Sequence, residues 1–216
     1  IKLAKLMPFP WLALISVTPY LVIVIGMSAS RQAAAIGLVF HLIAAWIKDT
    51  GLIKKLFYSL TAITFHYSAI LSLFFILQSL VIRPFYRLLI LIIGTVVSYP
   101  ILTKTDKFAT YEQTYLIKNI VSSGALMHVS LSAIPGLIYF LYFQRFKKIF
   151  GLNNLIFLFS FLSVVSIFGV SISSTAVDRL SLYLSPIQMM IYGTFPLIFE
   201  SEQTRIFLYL SIICLH

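Results

Sequence analysis

Long apolar runs separated by short basic turns extend along the whole sequence, and they constrain the fold more than any single motif. Only 10% of the residues are charged and 60% are hydrophobic, whereas a soluble domain usually carries about 25% charged residues. An apolar run of about 20 residues is long enough to cross a bilayer as a helix. The pattern predicts an all-α fold, a polytopic transmembrane helical bundle of about 7–9 membrane segments.

The apolar runs fill nearly all of the chain, so we predict a single transmembrane domain over residues 1–216. We expect this domain to be truncated at both ends, because the sequence does not begin with Met and stops within the apolar run Ile206–Leu215. Residues 103–122 form the one polar stretch. The predicted membrane segments are residues 7–26, 32–47, 56–82, 88–102, 124–143, 152–173, 180–199 and a last one from 206 onward.

Sixteen Lys and Arg against six Asp and Glu give a net charge of +10. These basic residues lie between apolar runs, where they orient a membrane protein and meet anionic head groups, so we expect membrane lipid as a partner and no nucleic acid. If every basic turn faces the cytoplasm, one segment between residues 56 and 102 fails to cross, as a re-entrant hairpin or a short surface helix, and we favour 88–102. The basic turns are Lys2/Lys5, Lys48/Lys54/Lys55, Arg83/Arg87 and Arg145/Lys147/Lys148.

Carboxylates are too few and too scattered for a divalent metal site, since none of the six is paired as Asp-x-Asp. The sequence also contains no glycine-rich phosphate loop, His-Glu-x-x-His helix or Gly-x-Ser-x-Gly elbow. We therefore predict no metal and no cofactor. Any phosphate group bound here must be neutralised by Arg, Lys and backbone dipoles.

Polar side chains inside apolar runs are the candidate functional residues, because each costs several kcal/mol in lipid unless it is paired or hydrated. Helix geometry relates two of them. Arg31 precedes Lys48 by 17 residues, about 25 Å, and His66 follows Lys55 by 11 residues, about 17 Å up an antiparallel helix. If these helices are neighbours, Arg31 and His66 lie within about 10 Å in depth. The four polar clusters are Ser28–Gln32, Phe65–Ala69, Ser122–His128 and Asp178–Leu184.

The polar and basic residues also have purely structural interpretations. Arg31 can extend its charge from a helix end to the interface, and His41 or His66 can bridge two helices, as intramembrane histidines often do. The pair Asp178-Arg179 can form a surface ion pair, and the basic run Arg145–Lys148 can fix the orientation of the preceding span.

Five motifs follow one another in a fixed order over roughly residues 25–190. They are Arg31-Gln32 followed by Ala33–Ala35, then Phe65–Ala69, then Tyr111 and Tyr115, then Ser123-Gly124-Ala125 running to Ile134-Pro135, then Arg179–Tyr183. In this order they resemble the EpsG-like branch of the Wzy O-antigen and exopolysaccharide polymerases. One position departs from the family's pattern, because His128 stands where an arginine is expected.

The resemblance implies a metal-independent membrane glycosyltransferase at the outer face of the bacterial inner membrane. Its partners would be oligosaccharide linked to undecaprenyl pyrophosphate and a chain-length regulator protein. The growing glycan would leave its undecaprenyl pyrophosphate for a sugar hydroxyl of the incoming lipid-linked unit. A flippase or transporter of lipid-linked sugar and an O-antigen ligase are the alternatives. Inverted repeats would favour the flippase interpretation, and none is found in the sequence.

The resemblance also implies roles for individual residues. Arg31 and Arg179 would stabilise the negative charge of the leaving pyrophosphate, and His66 would act as general base. His128 becomes a second titratable group in place of a pyrophosphate contact. The expected substrate-binding residues are Gln32, Tyr67, Arg83, Arg87, Tyr111, Tyr115, His128, Asp178 and Tyr183.

Overall fold

The computed structural model describes residues 1–80, 122, 124–150 and 154–216, and every regular element within them is a helix. The all-α prediction is therefore confirmed for this part of the chain. The α-helices are α1 (Pro10–Ile15), α2 (Ser30–Ile47), α3 (Leu52–Phe65), α4 (Leu71–Leu80), α5 (Ala125–Leu141), α6 (Phe143–Phe150), α7 (Asn154–Gly169), α8 (Ser174–Ser181), α9 (Pro186–Tyr192) and α10 (Glu202–Leu215). A π-helix, Thr18–Ile25, runs into the short turn Gly26–Ser28, and 3-10 helices form Ala4–Leu6, Tyr67–Ile70, Leu182–Leu184 and Phe195–Ile198.

Helix α2 is the one described helix that is by itself long and apolar enough to cross a bilayer. Helices α5 and α6 meet the same criterion only together, and they are bent by 92° where they join. The described residues thus contain one such span, or two if the bent pair is counted. The larger number of membrane segments expected from the sequence stays a prediction.

Helices α2 and α3 pack against each other as neighbours, which is the arrangement that the depth estimate for Arg31 and His66 required. The connection between them includes Asp49, whose φ of 47° lies in the left-handed region. His41 joins the two helices: its Nδ1 lies 2.8 Å from the Gly37 carbonyl oxygen of its own helix, and its ring lies 5.7 Å from that of Tyr58 on α3. These contacts support the helix-bridging interpretation of His41.

The apolar run 56–82 was expected to be a single span, and this expectation is wrong. Helix α3 ends at His66, whose backbone is extended, and after a 3-10 turn the chain returns as α4. The hydroxyl groups of Ser59 and Ser72 are in direct contact, whereas a continuous helix would separate these residues by about 20 Å. The chain therefore forms a hairpin over Leu52–Leu80, with His66 at its tip. The hairpin falls within the range where a re-entrant segment was expected, while the favoured residues 88–102 lie outside the described part.

Helices α5 and α7 cross closely because Gly136 has no side chain. A Cβ atom at Gly136 would lie 2.8 Å from the carbonyl oxygen of Ser160, which is closer than real Cβ atoms come to such an atom. Small residues at helix crossings allow backbones this close in membrane proteins. Phe159 on α7 packs in turn against Phe75 of α4, with 4.4 Å between ring centroids. The hairpin is thus held against the α5–α7 pair.

Residues 180–199 were also expected to form one span, and the structure instead divides this stretch into short pieces. Pro186 is the first residue of α9 and Pro196 the second residue of the 3-10 helix Phe195–Ile198, and proline lacks the N–H that would continue a preceding helix. The side chains from Ser181 to Pro196 are all buried. Polar contacts with other elements hold the segment in place: Gln188 donates to Ser132 at 3.1 Å, and the Phe9 N–H donates to the Gly193 carbonyl at 2.9 Å.

Candidate functional site

Four stretches that are distant in sequence meet at one end of the helical bundle. They are the start of α2, the tip of the α3–α4 hairpin, the start of α5, and α8 with the 3-10 turn that follows it. The basic turns Lys48–Lys55 and Arg145–Lys148 lie at the opposite ends of the same helices. The bundle is therefore polar at one end and basic at the other.

A hydrogen-bonded chain connects the hairpin tip to the 3-10 turn. The Nδ1 atom of His66 lies 2.6 Å from Oγ of Ser68, and the Ser68 hydroxyl donates to the phenol oxygen of Tyr183 at 3.0 Å. The Tyr183 oxygen is also 3.4 Å from Nδ1 of His66. Tyr183 is fully buried, so it provides a fixed end to the chain, while His66 is only half-buried. The imidazole can be oriented by the protein and still be reached by a substrate.

Arg179 lies one helical turn before Tyr183, the residue that ends the His66 chain. Its side chain is exposed, and its backbone carbonyl accepts a hydrogen bond from the buried Gln32 amide at 3.2 Å. Gln32 thereby joins the first turn of α2 to α8. Arg31 precedes Gln32 in that turn, and its side chain is exposed. The start of α2, which carries Arg31, is thus attached through Gln32 to the backbone of Arg179.

Asp178 is the acceptor at the centre of a second group of side chains. Its Oδ1 lies 3.1 Å from Nδ1 of His128 and accepts from the Tyr20 hydroxyl at 3.5 Å, while its Oδ2 accepts from the Ser122 hydroxyl at 2.9 Å. The side chains of Asp178 and His128 are 15% and 28% exposed, so their contact is largely shielded from solvent. Two separate stretches of chain, one with Tyr20 and one from Ser122 to His128, are therefore attached to one carboxylate, and hydrogen bonds to a charged acceptor are the stronger kind.

The His128 ring is confined on two sides. The ring of Tyr20 stacks on it, with 4.2 Å between centroids. A Cβ atom at Gly124 would lie 2.8 Å from Cε1 and 3.0 Å from Nε2 of the imidazole, so the ring occupies space that any other residue at 124 would fill. The absence of a side chain at Gly124 is what lets His128 reach Asp178.

The structure brings together six of the residues singled out from the sequence, in two adjoining groups. His66, Tyr183, Arg179 and Gln32 form the first group, and Asp178 and His128 form the second. Arg31 lies beside Gln32. Tyr67 follows His66 in the chain, but its side chain is 52% exposed. Arg83, Arg87, Tyr111 and Tyr115 lie outside the described residues.

One contributor, Tyr20, was not expected to be part of a site. Tyr20 lies in a predicted lipid-spanning run and is 158 residues from its partner Asp178, so no local pattern connects them. Ser68 and Ser122 belonged to recognised polar clusters, and their hydroxyls bond to Tyr183 and Asp178. The one sequence signal near Tyr20 is Pro19, which lies in the first turn of the π-helix that carries the tyrosine. A wider helical turn of this kind often occurs at functional sites.

Within the described ranges, no group of three or more His, Cys, Asp or Glu side chains converges as a metal site would require. The chemistry that the arrangement offers is that of an imidazole, hydroxyl groups and a guanidinium. An imidazole can take a proton near neutral pH, and a guanidinium can stabilise developing negative charge.

Comparison with known proteins yields one family. The sequence model of the EpsG family matches residues 2–216, which is essentially the whole chain. EpsG is a family of Wzy-like polymerases, and its proteins are membrane proteins. No curated protein and no solved structure matches the chain. The resemblance inferred from the order of the sequence motifs is thereby confirmed.

Proposed function

Because this chain belongs to the EpsG family, we propose that it is a membrane glycosyltransferase that polymerises polysaccharide. It transfers the growing glycan from undecaprenyl pyrophosphate to a sugar hydroxyl of a lipid-linked repeat unit. The observation that carries this proposal is the hydrogen-bonded chain His66–Ser68–Tyr183, because it fixes a proton acceptor at the end of the bundle where the exposed Arg179 lies one helical turn before Tyr183.

His66 is the general base. Since the Ser68 hydroxyl donates to Tyr183, the Nδ1 of His66 donates to Ser68, and the lone pair of the imidazole remains on Nε2. Nε2 takes the proton of the acceptor hydroxyl as its oxygen forms a bond to C1 of the donor sugar. The bond between C1 and the pyrophosphate oxygen breaks, and the diphosphate leaves with the electron pair. Fixing the imidazole before the substrate arrives supports this step.

Arg179 and Arg31 stabilise the departing diphosphate. Both side chains are exposed at the end of the bundle where His66 lies, and Gln32 joins their helices. Guanidinium groups bind phosphate oxygens through two parallel hydrogen bonds and keep their charge at all physiological pH values. This arrangement supports a transfer reaction in which arginine provides the electrostatic stabilisation and no metal ion is required.

The same end of the bundle faces the outside of a bacterial plasma membrane. The basic turns Lys48–Lys55 and Arg145–Lys148 lie at the other end, and basic residues are retained on the cytoplasmic side. A multi-pass protein oriented in this way presents His66 and Arg179 to lipid-linked sugar on the outer leaflet. Oligosaccharide linked to undecaprenyl pyrophosphate is accordingly the proposed substrate, and a chain-length regulator is a proposed partner.

The decisive experiment incubates the purified full-length protein with defined undecaprenyl-pyrophosphate repeat units in the presence of EDTA. We expect a ladder of longer lipid-linked glycans. A flippase would give no ladder, and a ladder that disappears with EDTA would contradict the metal-free mechanism. A full ladder from the His66→Ala variant would remove His66 from the mechanism.

His41→Ala is the matched control for that variant. His41 is also a half-buried histidine, but it lies on α2 and contacts Gly37 and Tyr58 rather than the site. We expect His41→Ala to retain the ladder and His66→Ala to lose it, with both proteins present in the membrane at the level of the unsubstituted protein.

A further inference from the structure

The contacts of His128 determine which of its two ring nitrogens carries a proton. Its Nδ1 lies 3.1 Å from Oδ1 of Asp178, and the hydroxyls of Ser122 and Tyr20 donate to the same carboxyl group. A carboxyl group that faces three donors acts as an ionised acceptor, so the proton between the two residues belongs to Nδ1 of the imidazole. In the neutral ring the lone pair is then on Nε2. His128 therefore has one nitrogen left over, and that nitrogen is a hydrogen-bond acceptor.

Two further residues keep the imidazole in one orientation. The ring of Tyr20 stacks on its face, with 4.2 Å between centroids and 26° between the ring planes. A Cβ atom at Gly124 would lie 2.8 Å from Cε1, so the edge of the ring lies close against the backbone there. Turning the ring over would replace Nδ1 by a carbon atom and break the contact with Asp178. Nε2 is thereby held in position before any ligand arrives, which lowers the entropic cost of binding.

Nε2 of His128 is available to a ligand. Among residues 1–80, 122, 124–150 and 154–216, the one hydrogen-bond partner of this imidazole is Asp178, and it is bonded through Nδ1. The His128 side chain is 28% exposed, so the ring is anchored on one side and open on another. A polar atom of this kind gains free energy from a partner that matches it, and loses some if it is covered without one.

His128 and His66 are attached to different sides of α8 and the turn that follows it. Asp178 holds His128, and Tyr183 ends the His66 chain; the two lie five residues apart on one continuous helical stretch. Five residues advance about 8 Å along a helix and about 140° around it. A group bound by His128 is therefore a different part of the substrate from the hydroxyl that His66 deprotonates.

A nitrogen that can only accept selects groups that carry a hydrogen. Sugar hydroxyls can donate to it, whereas the oxygens of an ionised diphosphate are acceptors themselves. Arg31 and Arg179 provide donors for the diphosphate at this end of the bundle. We propose that Nε2 of His128 accepts a hydrogen bond from a sugar hydroxyl of the lipid-linked glycan, with Tyr20 as the positioning residue for the ring. This assignment rests on the polymerase function proposed above.

Nuclear magnetic resonance tests the protonation of the ring directly. The chain has four histidines, so a spectrum of protein labelled with ¹⁵N-histidine can be assigned to His128 by substituting the other three, His41, His66 and His216. In detergent at the pH of the polymerisation assay, we expect Nδ1 of His128 to be protonated and Nε2 to be unprotonated. Addition of the lipid-linked repeat unit should shift the Nε2 resonance of His128 and leave that of His41 unchanged. A protonated Nε2 would overturn the proposal, because an imidazolium only donates.

Repeat units that each lack one hydroxyl identify the contact. For one such analogue, the KM of the unsubstituted protein should rise about three- to tenfold, as expected for one lost hydrogen bond, while kcat stays within about twofold. His128→Phe keeps a ring against Tyr20 but has no nitrogen, so the complete repeat unit and that analogue should have equal KM values in this variant. If every analogue loses the same affinity in both proteins, His128 contacts no hydroxyl and the proposal fails.

His128→Arg distinguishes a hydroxyl from a phosphate as the ligand, because arginine has donors and no acceptor. We expect its KM for the complete repeat unit to rise at least as much as in His128→Phe. A KM below that of the unsubstituted protein would mean that the position contacts the diphosphate, and it would overturn the proposal. A ladder without any of these differences rejects the role of His128 and leaves the polymerase function in place, whereas no ladder from the unsubstituted protein rejects both.

Tyr20 is tested by a pair of variants. Tyr20→Phe keeps the stacked ring, and we expect its KM to stay within about twofold, whereas Tyr20→Leu removes the ring and should raise KM several-fold with kcat nearly unchanged. Tyr58→Leu is the matched control, since it removes the ring that lies 5.7 Å from His41, and it should leave KM unchanged. Equal KM values in Tyr20→Leu and the unsubstituted protein would show that Tyr20 does not position His128.

Discussion

The Nδ1 atom of His128 lies 3.1 Å from Oδ1 of Asp178, so the residue immediately before Arg179 is attached to the first turn of α5. Ser122, just before α5, and Tyr20, from a distant stretch of chain, donate to the same carboxylate. Adjacent residues of a helix do not face each other, so Asp178 and Arg179 point in different directions. Asp178 faces its three donors, and the side chain of Arg179 is exposed.

Substitution of Asp178 tests whether this carboxylate positions Arg179. Asp178→Ala leaves the donors of Tyr20, Ser122 and His128 without their acceptor, and we expect the free energy of unfolding to fall by about 1–3 kcal/mol. Asp178→Asn keeps one acceptor oxygen, so its free energy of unfolding should fall by less. The glycan-elongation rate should fall further in the alanine variant than in the asparagine variant. Thermal unfolding in detergent and ladder formation measure the two effects, and an alanine variant unchanged in both would disprove the role.

Gly124→Ala tests the space that His128 occupies. The new Cβ would lie 2.8 Å from Cε1 of the imidazole, so the ring must move away from Asp178 and from Tyr20. We expect a loss of about 1–3 kcal/mol in unfolding free energy, as for other overpacked sites. A double-mutant cycle with His128→Ala provides the control, because alanine at 128 removes the clash. Equal destabilisation by Gly124→Ala in both backgrounds would contradict the explanation.

Tyr183→Phe tests the fixed end of the His66 chain. Phenylalanine keeps the buried ring but cannot bond to Ser68 or His66, so the imidazole loses part of its orientation. We expect the elongation rate to fall about tenfold with little change in the amount of folded protein. Tyr192→Phe is the control, since Tyr192 is also buried but lies on α9, away from the hairpin tip. A normal rate for Tyr183→Phe would show that His66 needs no such support.

The hairpin can be tested directly by cross-linking. In a Cys214→Ser background, the Ser59→Cys/Ser72→Cys variant should form a disulfide, because the two native hydroxyls are in contact. A straight helix would place these residues about 20 Å apart. Leu60→Cys/Ser72→Cys is the control, since Leu60 is 55% exposed on another face of α3. Equal cross-linking of both pairs, or of neither, would contradict the hairpin.

Helix α2 was the element best predicted from the sequence. Its expected range, 32–47, differs from the observed Ser30–Ile47 by two residues at the start. The charged side chains of Arg31 and Lys48 mark both ends of the apolar run, so local hydrophobicity alone defines the helix. The polar clusters around Gln32, His66 and Asp178 could also be identified, because a polar side chain within an apolar run requires an explanation.

A re-entrant segment between residues 56 and 102 was expected, but its reversal at His66 could not be placed, because residues 56–82 contain no proline or glycine to mark a turn. What turns the chain there is packing against other elements, including Phe159. The division of residues 180–199 into short pieces was easier to predict, since the helix-breaking residues Pro186, Gly193 and Pro196 are all present in the sequence. The contact between Tyr20 and Asp178 depends on the tertiary fold, and no periodicity in either stretch reveals it.

The α3–α4 hairpin also shows that one apolar run need not be one helix in this chain. The hydroxyl groups of Ser59 and Ser72 touch although they lie on opposite sides of the break at His66, so a single stretch of hydrophobic sequence supplies two helices that pack on each other. Hydropathy alone scores the run 56–82 as one element, whereas its polar residues are the ones that mark where the two helices meet.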